Sequence, residues 1–299
     1  MAEPVLPRPR PARAALEGHW VRLEPLSESH VGGLHDVLCS PQFADRLRWV
    51  TDHAPTRPEE TLAWVRRAIA ADDPLFFAVV DLATGRCGGR QSLMRITPEH
   101  GVIEIGFIVW GPGVARTRLA TEAFFLHARH AFDDLGYRRF EWKCDDANES
   151  SKAAALRFGF QPEGVFRRHM RVRGRDRNTA WFSILDSDWP ALRNEFERWL
   201  NPNNFDERGA QRTPLRTSAI ARLGASPALA AAPTPALLLD PVRLERNARR
   251  LRERLGVSKD CPFGRRQRVS GPGRGLRQWC LGTGLQRRLR CRCRQGGVP

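Results

Sequence analysis

The chain has 299 residues, 41 % of them hydrophobic, so it can form one large or two average domains with a substantial core. No apolar run approaches the ~20 residues that a membrane-spanning helix needs. The first residues alternate proline with arginine and lack the apolar segment of a secretory signal. These features exclude a membrane-spanning or secreted class, and we expect a cytoplasmic protein with no membrane partner.

The formal net charge of +16 is unevenly distributed. Residues 1–218 contain 31 basic and 29 acidic residues, a net charge of +2, whereas residues 219–299 contain 18 and 4, a net charge of +14. The chain has only three lysines, Lys143, Lys152 and Lys259, and this preference for arginine is typical of GC-rich codon usage. High basicity suggests a nucleic-acid partner. Its confinement to the tail argues against such a partner for the first 218 residues.

The cysteines give no metal-binding pattern. Three of the seven are scattered through the first 218 residues, as free thiols usually are. The other four lie in the tail, where no Cys-x-x-Cys spacing occurs and no histidine follows His169. We therefore expect no metal site.

The first predicted elements are a strand and two helices. Residues 21–26 alternate in polarity, which indicates a strand, and Ser27 is a suitable N-cap for the helix that follows. Residues 56–59 have the form of a capping box at the start of a second helix. The predicted core-facing stripe of this helix consists of Leu62, Val65 and Ile69.

The rest of the domain alternates strands and helices. Three strands joined by short connections are predicted: the first lies within 74–85, where it runs into a turn, and the others span 87–96 and 102–110. The third strand is apolar on both faces, which is typical of a central strand. The following elements are a helix over 117–135, a strand over 137–145, a helix over 148–158, strands over 164–172 and 179–185, and a helix over 189–200. This order predicts a mixed α/β (α+β) fold.

Glu104 lies in the middle of the central strand, where burial of a carboxylate is costly unless it has a partner or a task. One interpretation is that the side chain acts as a general base. The alternative is a structural glutamate that is hydrogen-bonded to a neighbouring strand or to an arginine.

Two helix starts contain candidate functional residues. The strand–turn–helix junction over 110–123 contains glycines and leads into a helix, whose first N–H groups are suited to a phosphate, although an ordinary connection is the alternative. Asn148 and Ser151 lie together at the start of a later helix, where capping alone could explain both residues.

In this order, the segments resemble the GNAT N-acetyltransferase superfamily, specifically its RimJ/RimL-like branch. The matching stretches are VRLEPLSESH, FAVVDLATGRCGG, IEIGF, RTRLATEA, LGYRRFEWKCDDANESS, GFQPEGVFR and NTAWFSIL, and the likeness covers about residues 16–212. The resemblance implies a strongly twisted mixed sheet, flanked by helices, that opens after the strand with Glu104. It also implies acetyl-CoA as co-substrate and direct attack on it by a substrate amine.

The resemblance also assigns the site residues. Glu104 would deprotonate the amine through water, and Ser151 would protonate the leaving thiolate. Many relatives place a tyrosine seven residues after the asparagine, but this chain has Ala155 there. The residues that would bind the co-substrate are Ala115, Arg116, Thr117, Arg118, Leu119, Ala120 and Asn148.

The loop over 115–120 departs from the superfamily pattern at two places. Ala115 stands where glutamine or arginine is usual, and Arg118 stands where glycine is usual, so the Arg118 side chain must turn away for phosphates to approach the backbone. The acceptor stays open, because relatives acetylate protein N-terminal amines, aminoglycoside-type amines and polyamines. A homodimer is also left open.

The ends of the chain have different expectations. We expect residues 1–15 to be disordered and residues 213–233, rich in alanine and proline, to form a linker. Residues 234–256 resemble the start of alanine-racemase-like, PLP-dependent enzymes such as D-threonine aldolase. Residues 257–299 are dominated by Gly, Arg, Cys and Pro, as in a frameshifted or disordered extension. The alternative is a basic arm of a nucleic-acid-binding or non-catalytic acyl-CoA-binding protein.

Overall fold

The computed structural model describes residues 5–44, 46–49 and 54–217. These residues belong to the first of the two units into which the chain divides, Met1–Ala232. The racemase-like segment and the basic tail lie outside the described residues, so the expectations for them stay predictions.

One eight-stranded sheet organises the described residues, in the order β1-β2-β3-β4-β5-β6-β8-β7. Every neighbouring pair is antiparallel except β5 and β6, which are parallel. The strands are β1 (Leu16–Glu17), β2 (Val21–Pro25), β3 (Leu75–Asp81), β4 (Cys87–Thr97), β5 (Val102–Trp110), β6 (Arg139–Asp145), β7 (Gln161–Val172) and β8 (Arg175–Leu185). This topology confirms the predicted mixed sheet.

Helices flank the sheet, as predicted. They are α1 (Val31–Leu38), α2 (Pro41–Ala44), α3 (Pro58–Ala70), α4 (Arg118–Arg129), α5 (Glu149–Arg157) and α6 (Trp189–Leu200). In the described part of the chain, no helix has the length and apolar character needed to cross a bilayer.

The sheet has a core on each face. Helices α4, α5 and α6 pack on one face, where Phe124 of α4 stacks on Phe158 with ring centroids 4.4 Å apart. Helices α1 and α3 cover part of the other face through Leu34 and Val65, which pack against Phe76 of β3. Because side chains alternate along a strand, the residues of β5 and β6 that face away from α4 lie on this second face.

The capping box predicted over 56–59 is wrong, because the glutamate that binds Thr56 is Glu60 and not Glu59. Pro58 is the first residue of α3, so Arg57 occupies the N-cap position and Thr56 lies one residue earlier. The backbone N–H and the hydroxyl of Thr56 donate to Glu60, at 2.8 and 3.1 Å, rather than to Glu59. The stripe of α3 also differs, because Val65 is fully buried while Leu62 and Ile69 are half-buried.

The long helix predicted over 117–135 changes its geometry before it ends. The α-helical part stops at Arg129, and a π-helical turn follows over His130–Asp134, closed by a 3.0 Å bond from the Leu135 N–H to the His130 carbonyl. Gly136, at φ 67°, then reverses the chain.

Strands β5 and β6 separate part-way along their length. Their pairing runs from Val102↔Arg139 only to Ile105↔Trp142, although β5 continues to Trp110. Just beyond this point β5 has a bulge at Phe107, whose φ of 47° is unusual for a large residue. The two strands therefore diverge after Ile105 and leave an opening at the centre of the sheet.

Candidate active site

A cleft of about 930 Å³ occupies the opening between β5 and β6. Its walls come from the central strands, from the first turns of α4 and α5, and from the chain that follows α6. Eight of the nine predicted site residues line it, namely Glu104, Ala115, Arg116, Thr117, Arg118, Ala120, Asn148 and Ser151. Leu119 instead packs partly against the core. The tertiary structure thus brings residues from three separate segments into one cavity.

Glu104 lies on β5, one residue before the pairing with β6 ends, and its side chain is only 4 % exposed. Two cations bind the same carboxylate oxygen: Arg95 Nη1 lies 2.8 Å and Lys143 Nζ 2.9 Å from Glu104 Oε2. The second oxygen, Oε1, lies beside Gly106, where a Cβ atom would be 3.8 Å away. Gly106 and Glu104 both line the cleft.

The pair of Glu104 and Lys143 belongs to a longer row of alternating charges on the sheet. Lys143 Nζ also lies 2.7 Å from Glu141 Oε2, and Arg139 Nε lies 2.7 Å from the other oxygen of Glu141. Arg139 further donates to Glu163 on β7, and this contact lowers the pKa of the Glu163 carboxyl below its usual range. The row neutralises the carboxylates that the sheet places side by side.

The turn between β5 and α4 is held by its own hydrogen bonds. The Ala115 N–H donates to the Gly111 carbonyl at 2.8 Å, and the Thr117 N–H donates to the Val114 carbonyl at 3.2 Å. Thr117 is the N-cap of α4, and its hydroxyl oxygen accepts the Leu119 N–H at 3.1 Å. Because N–H groups in the first turn have no intrahelical acceptor, those of Arg118 and Ala120 remain as the candidates for a phosphate.

Arg118, which stands at the usual glycine place, is held away from this turn. Its guanidinium lies 4.8 Å from the ring centroid of Trp20 and 5.3 Å from that of Phe205. The two rings are themselves in edge contact, with centroids 5.1 Å apart. These cation–π contacts hold the Arg118 side chain away from the backbone of the turn, as the sequence requires if phosphates are to approach that backbone.

Asn148 and Ser151 combine capping with contacts to the cleft. Asn148 Oδ1 accepts the Ser151 N–H at 3.1 Å and the Ser150 hydroxyl at 2.8 Å, so its role as N-cap is real. The Ser151 hydroxyl oxygen accepts the indole N–H of Trp142 at 3.0 Å. Because an indole nitrogen can only donate, the Ser151 hydroxyl keeps its own hydrogen for another acceptor.

No described group of three His, Cys, Asp or Glu side chains has the arrangement to hold a metal ion.

Comparison with known proteins places the chain in a family. The sequence pattern of the acetyltransferase (GNAT) domain matches residues 21–161. A GCN5-related N-acetyltransferase of known crystal structure, from Brucella melitensis, is 49 % identical to the chain. The match covers 72 % of this chain and 97 % of the Brucella protein, with a TM-score of 0.70. The chain belongs to the GCN5-related N-acetyltransferase (GNAT) family.

Other GNAT structures are more distant. A GNAT-family protein from Chromobacterium violaceum is 34 % identical, with 64 % of this chain and 97 % of that protein covered and a TM-score of 0.58. RimL, the ribosomal L7/L12 alpha-N-protein acetyltransferase, is 20 % identical, with 57 % and 94 % covered and a TM-score of 0.51, which is a likeness of fold alone. A comparison with curated protein sequences finds no match.

Several residues of this GNAT site were missed by sequence reasoning. Trp142 has no local signal in the sequence, because nothing indicates that its N–H reaches Ser151 on the next helix. Lys143 could have been noticed in the sequence, because the chain has only three lysines beside 46 arginines and codon usage does not explain a lysine at this position. Phe205, whose ring contacts the Arg118 guanidinium, follows α6 and is far in sequence from the other site residues.

Proposed function

We propose that this GNAT domain transfers the acetyl group of acetyl-CoA to a primary amine by direct attack within a ternary complex. The observation that carries the proposal is the single cleft at the divergence of β5 and β6. Glu104 lies on one of these strands, and Ser151 lies on the helix that follows the other. A carboxylate and a hydroxyl thus line the same cavity, which supports the base and the acid that we propose for amine acetylation from a thioester.

Glu104 is the proposed base. The amine must lose a proton to attack the thioester carbonyl carbon, and Glu104 Oε1, beside Gly106, is the oxygen that would receive it through water. Arg95 and Lys143 bind the other oxygen and fix the orientation of the carboxylate. Of these two partners, Arg95 has half of its side chain exposed and is the one that can move away.

Ser151 is the proposed acid. Its hydroxyl would donate a proton to the thiolate that leaves when the carbon–sulfur bond breaks. The indole N–H of Trp142 already points at the Ser151 oxygen and would stabilise the negative charge that develops there. This contact supports the acid role more strongly than capping does, because capping uses the backbone N–H of Ser151 and not its hydroxyl.

The remaining predicted residues would hold the co-substrate. The backbone of residues 115–120, with the N–H groups of Arg118 and Ala120 as donors, is the proposed pyrophosphate site, and Asn148 is the proposed contact for the pantetheine arm. The amine acceptor is proposed only as a class, either a protein N-terminal amine or a small molecule. RimL acts on an alpha-amino group of ribosomal protein L7/L12, and its similar fold keeps a protein acceptor among these candidates.

The test is thiol release from acetyl-CoA by the full chain with a panel of amines, together with calorimetric titration of coenzyme A. We expect Glu104→Gln and Ser151→Ala to lower kcat by about 10²-fold or more, which is typical of loss of an acid or base, while coenzyme A still binds. The controls are Glu99→Gln and Ser187→Ala, which change an exposed carboxylate and an exposed hydroxyl outside the cleft.

A non-catalytic acyl-CoA-binding protein is the second candidate. It is supported if coenzyme A binds but no amine in the panel is acetylated. If Glu104→Gln and Ser151→Ala keep the activity of the controls, the roles assigned to these two residues are wrong.

A further inference from the structure

The segment that follows α6 returns to the cleft. Phe205 pairs with Gln211 across a short loop, and the Trp199 indole N–H donates to Gln211 Oε1 at 2.8 Å. Further along, the Arg216 N–H donates to Glu195 Oε1 at 2.6 Å. These bonds fix residues 201–217, which include the start of the segment interpreted as a linker, against the domain. The segment contributes Phe205, Gly209, Ala210 and Gln211 to the cleft wall.

This wall faces the start of α4. A Cβ atom on Gly209 would lie 3.7 Å from Arg118 Nη1, so the loop between Phe205 and Gln211 passes next to the guanidinium. Trp20 holds the same guanidinium from the side of β2. The Arg118 side chain is therefore oriented by aromatic rings from two distant segments of the chain.

The basic side chains at this end of the cleft have no acidic partner among the described residues. Three arginines line it, Arg116, Arg118 and Arg157, and no described carboxylate lies within 4.0 Å of their nitrogen atoms. The acidic residues in the described lining are Glu104 and Asp145, which belong to β5 and β6. Guanidinium groups placed together without a counter-charge favour the binding of an anion.

Arg157 is oriented toward the same place. Its Nη1 donates to Thr121 Oγ1 at 3.0 Å, one helical turn beyond Arg118 on α4. Its guanidinium lies 5.3 Å from the ring centroid of Trp199, and Trp199 is in edge contact with Phe205. The two arginines therefore contact adjoining rings of one aromatic cluster, defined by Trp20, Trp199 and Phe205.

Coenzyme A carries two separate anionic groups, the pyrophosphate and the 3′-phosphate of its adenosine. We propose that Arg118, assisted by Arg157, binds the 3′-phosphate, and that the loop from Phe205 to Gln211 forms one wall of this subsite. The inference rests on the proposed use of acetyl-CoA. The backbone of the β5–α4 turn is left to the pyrophosphate, and the guanidinium displaced from that turn takes the second anion. Because the aromatic rings already orient Arg118, less side-chain entropy is lost on binding.

The experiment compares two ligands, coenzyme A and 3′-dephospho-coenzyme A, by calorimetric titration of the full chain. We expect the chain to bind coenzyme A at least tenfold more tightly than the dephospho form. Arg118→Gln should remove this preference by weakening coenzyme A alone. Phe205→Leu keeps an apolar side chain but removes the aromatic contact with Arg118. This variant should reduce the ratio of the two affinities at least threefold. Arg212→Gln, on the same segment but exposed and outside the cleft lining, is the control for net charge.

Thermal unfolding of each variant checks that it is folded. If Arg118→Gln weakens both ligands equally, Arg118 binds the pyrophosphate and the proposal is overturned. An unchanged preference in Arg118→Gln overturns it as well, as does failure of the chain to bind either ligand. Binding with the expected preference but without acetylation of any amine supports the subsite while contradicting the proposed transfer reaction.

Discussion

Lys143 Nζ lies 2.9 Å from Glu104 Oε2, and both side chains are almost completely buried. Glu104 is directly opposite Glu141 in the parallel register of β5 and β6, and Lys143 binds Glu141 as well. The lysine also lies 3.5 Å from the ring centroid of Trp181. Lys143 thus separates two neighbouring carboxylates at the base of the cleft.

Removal of this lysine should destabilise the domain. Lys143→Met leaves Glu104 and Glu141 side by side without their shared cation, and we expect the free energy of unfolding to fall by about 3–5 kcal/mol. The double variant Lys143→Met/Glu141→Gln should recover most of the loss. Urea unfolding measures both. Lys152→Met, which breaks only partly exposed pairs with Asp146 and Glu149, should cost less than about 1 kcal/mol. Equal stability of the two single variants would contradict this role.

The bond from Trp142 to Ser151 should matter for the rate rather than for binding. Trp142→Phe keeps the ring in the core but removes the N–H, and loss of one such hydrogen bond, worth about 1 kcal/mol, should lower kcat about fivefold. The KM for acetyl-CoA should stay the same. In a Ser151→Ala background the Trp142→Phe change should have no further effect on kcat. Additive effects in this double-mutant cycle would show that Trp142 acts independently of Ser151.

His127 should make the domain sensitive to acid. Complete burial lowers the pKa of His127 from 6.5 to about 3, while Gln91 Nε2 donates to its Nδ1 at 3.0 Å. Between these pH values the unfolded chain binds a proton that the folded chain does not. Stability is therefore fully present above pH 6.5 and falls as the pH is lowered, by roughly 5 kcal/mol at pH 3.

Replacement of His127 checks this assignment. Urea unfolding at several pH values should give a shallower decline below pH 6.5 for His127→Phe than for the parent chain. His100→Gln, a change at an exposed histidine, should keep the parent slope. The same slope in all three proteins would mean that other groups cause the acid sensitivity.

Glu122 joins α4 to the start of β2. Its carboxylate accepts the backbone N–H groups of His19, Trp20 and Val21, at 2.7 to 2.8 Å. Glu122→Gln presents an amide donor to this cluster of donors, and we expect a loss of about 2–3 kcal/mol in unfolding free energy. Glu197→Gln, which affects one exposed pair, should change it by less than about 0.5 kcal/mol. Similar melting temperatures for these two variants would refute the role of Glu122.

The predicted element order agrees with the structure because each element has a local signal. The alternating or continuous apolar runs mark β2 to β6, and Asn148 marks the start of α5. The two errors in the predicted helices each concern a single turn of the chain. Pro58 moves the start of α3 past Thr56, and the last turn of the helix after Thr117 becomes π-helical, for which the sequence has no pattern.

The sequence by itself determined the family, the order of elements and the placement of Glu104 on a central strand, because these depend on periodicity, capping and motif order along the chain. Only the tertiary structure decided which groups meet at the site. The pairing of Glu104 with Lys143 depends on the register of β5 and β6. The position of the Arg118 side chain depends on its contact with Phe205, which follows α6. Such contacts join residues far apart in the chain, so their distances are fixed by strand register and packing rather than by any local pattern.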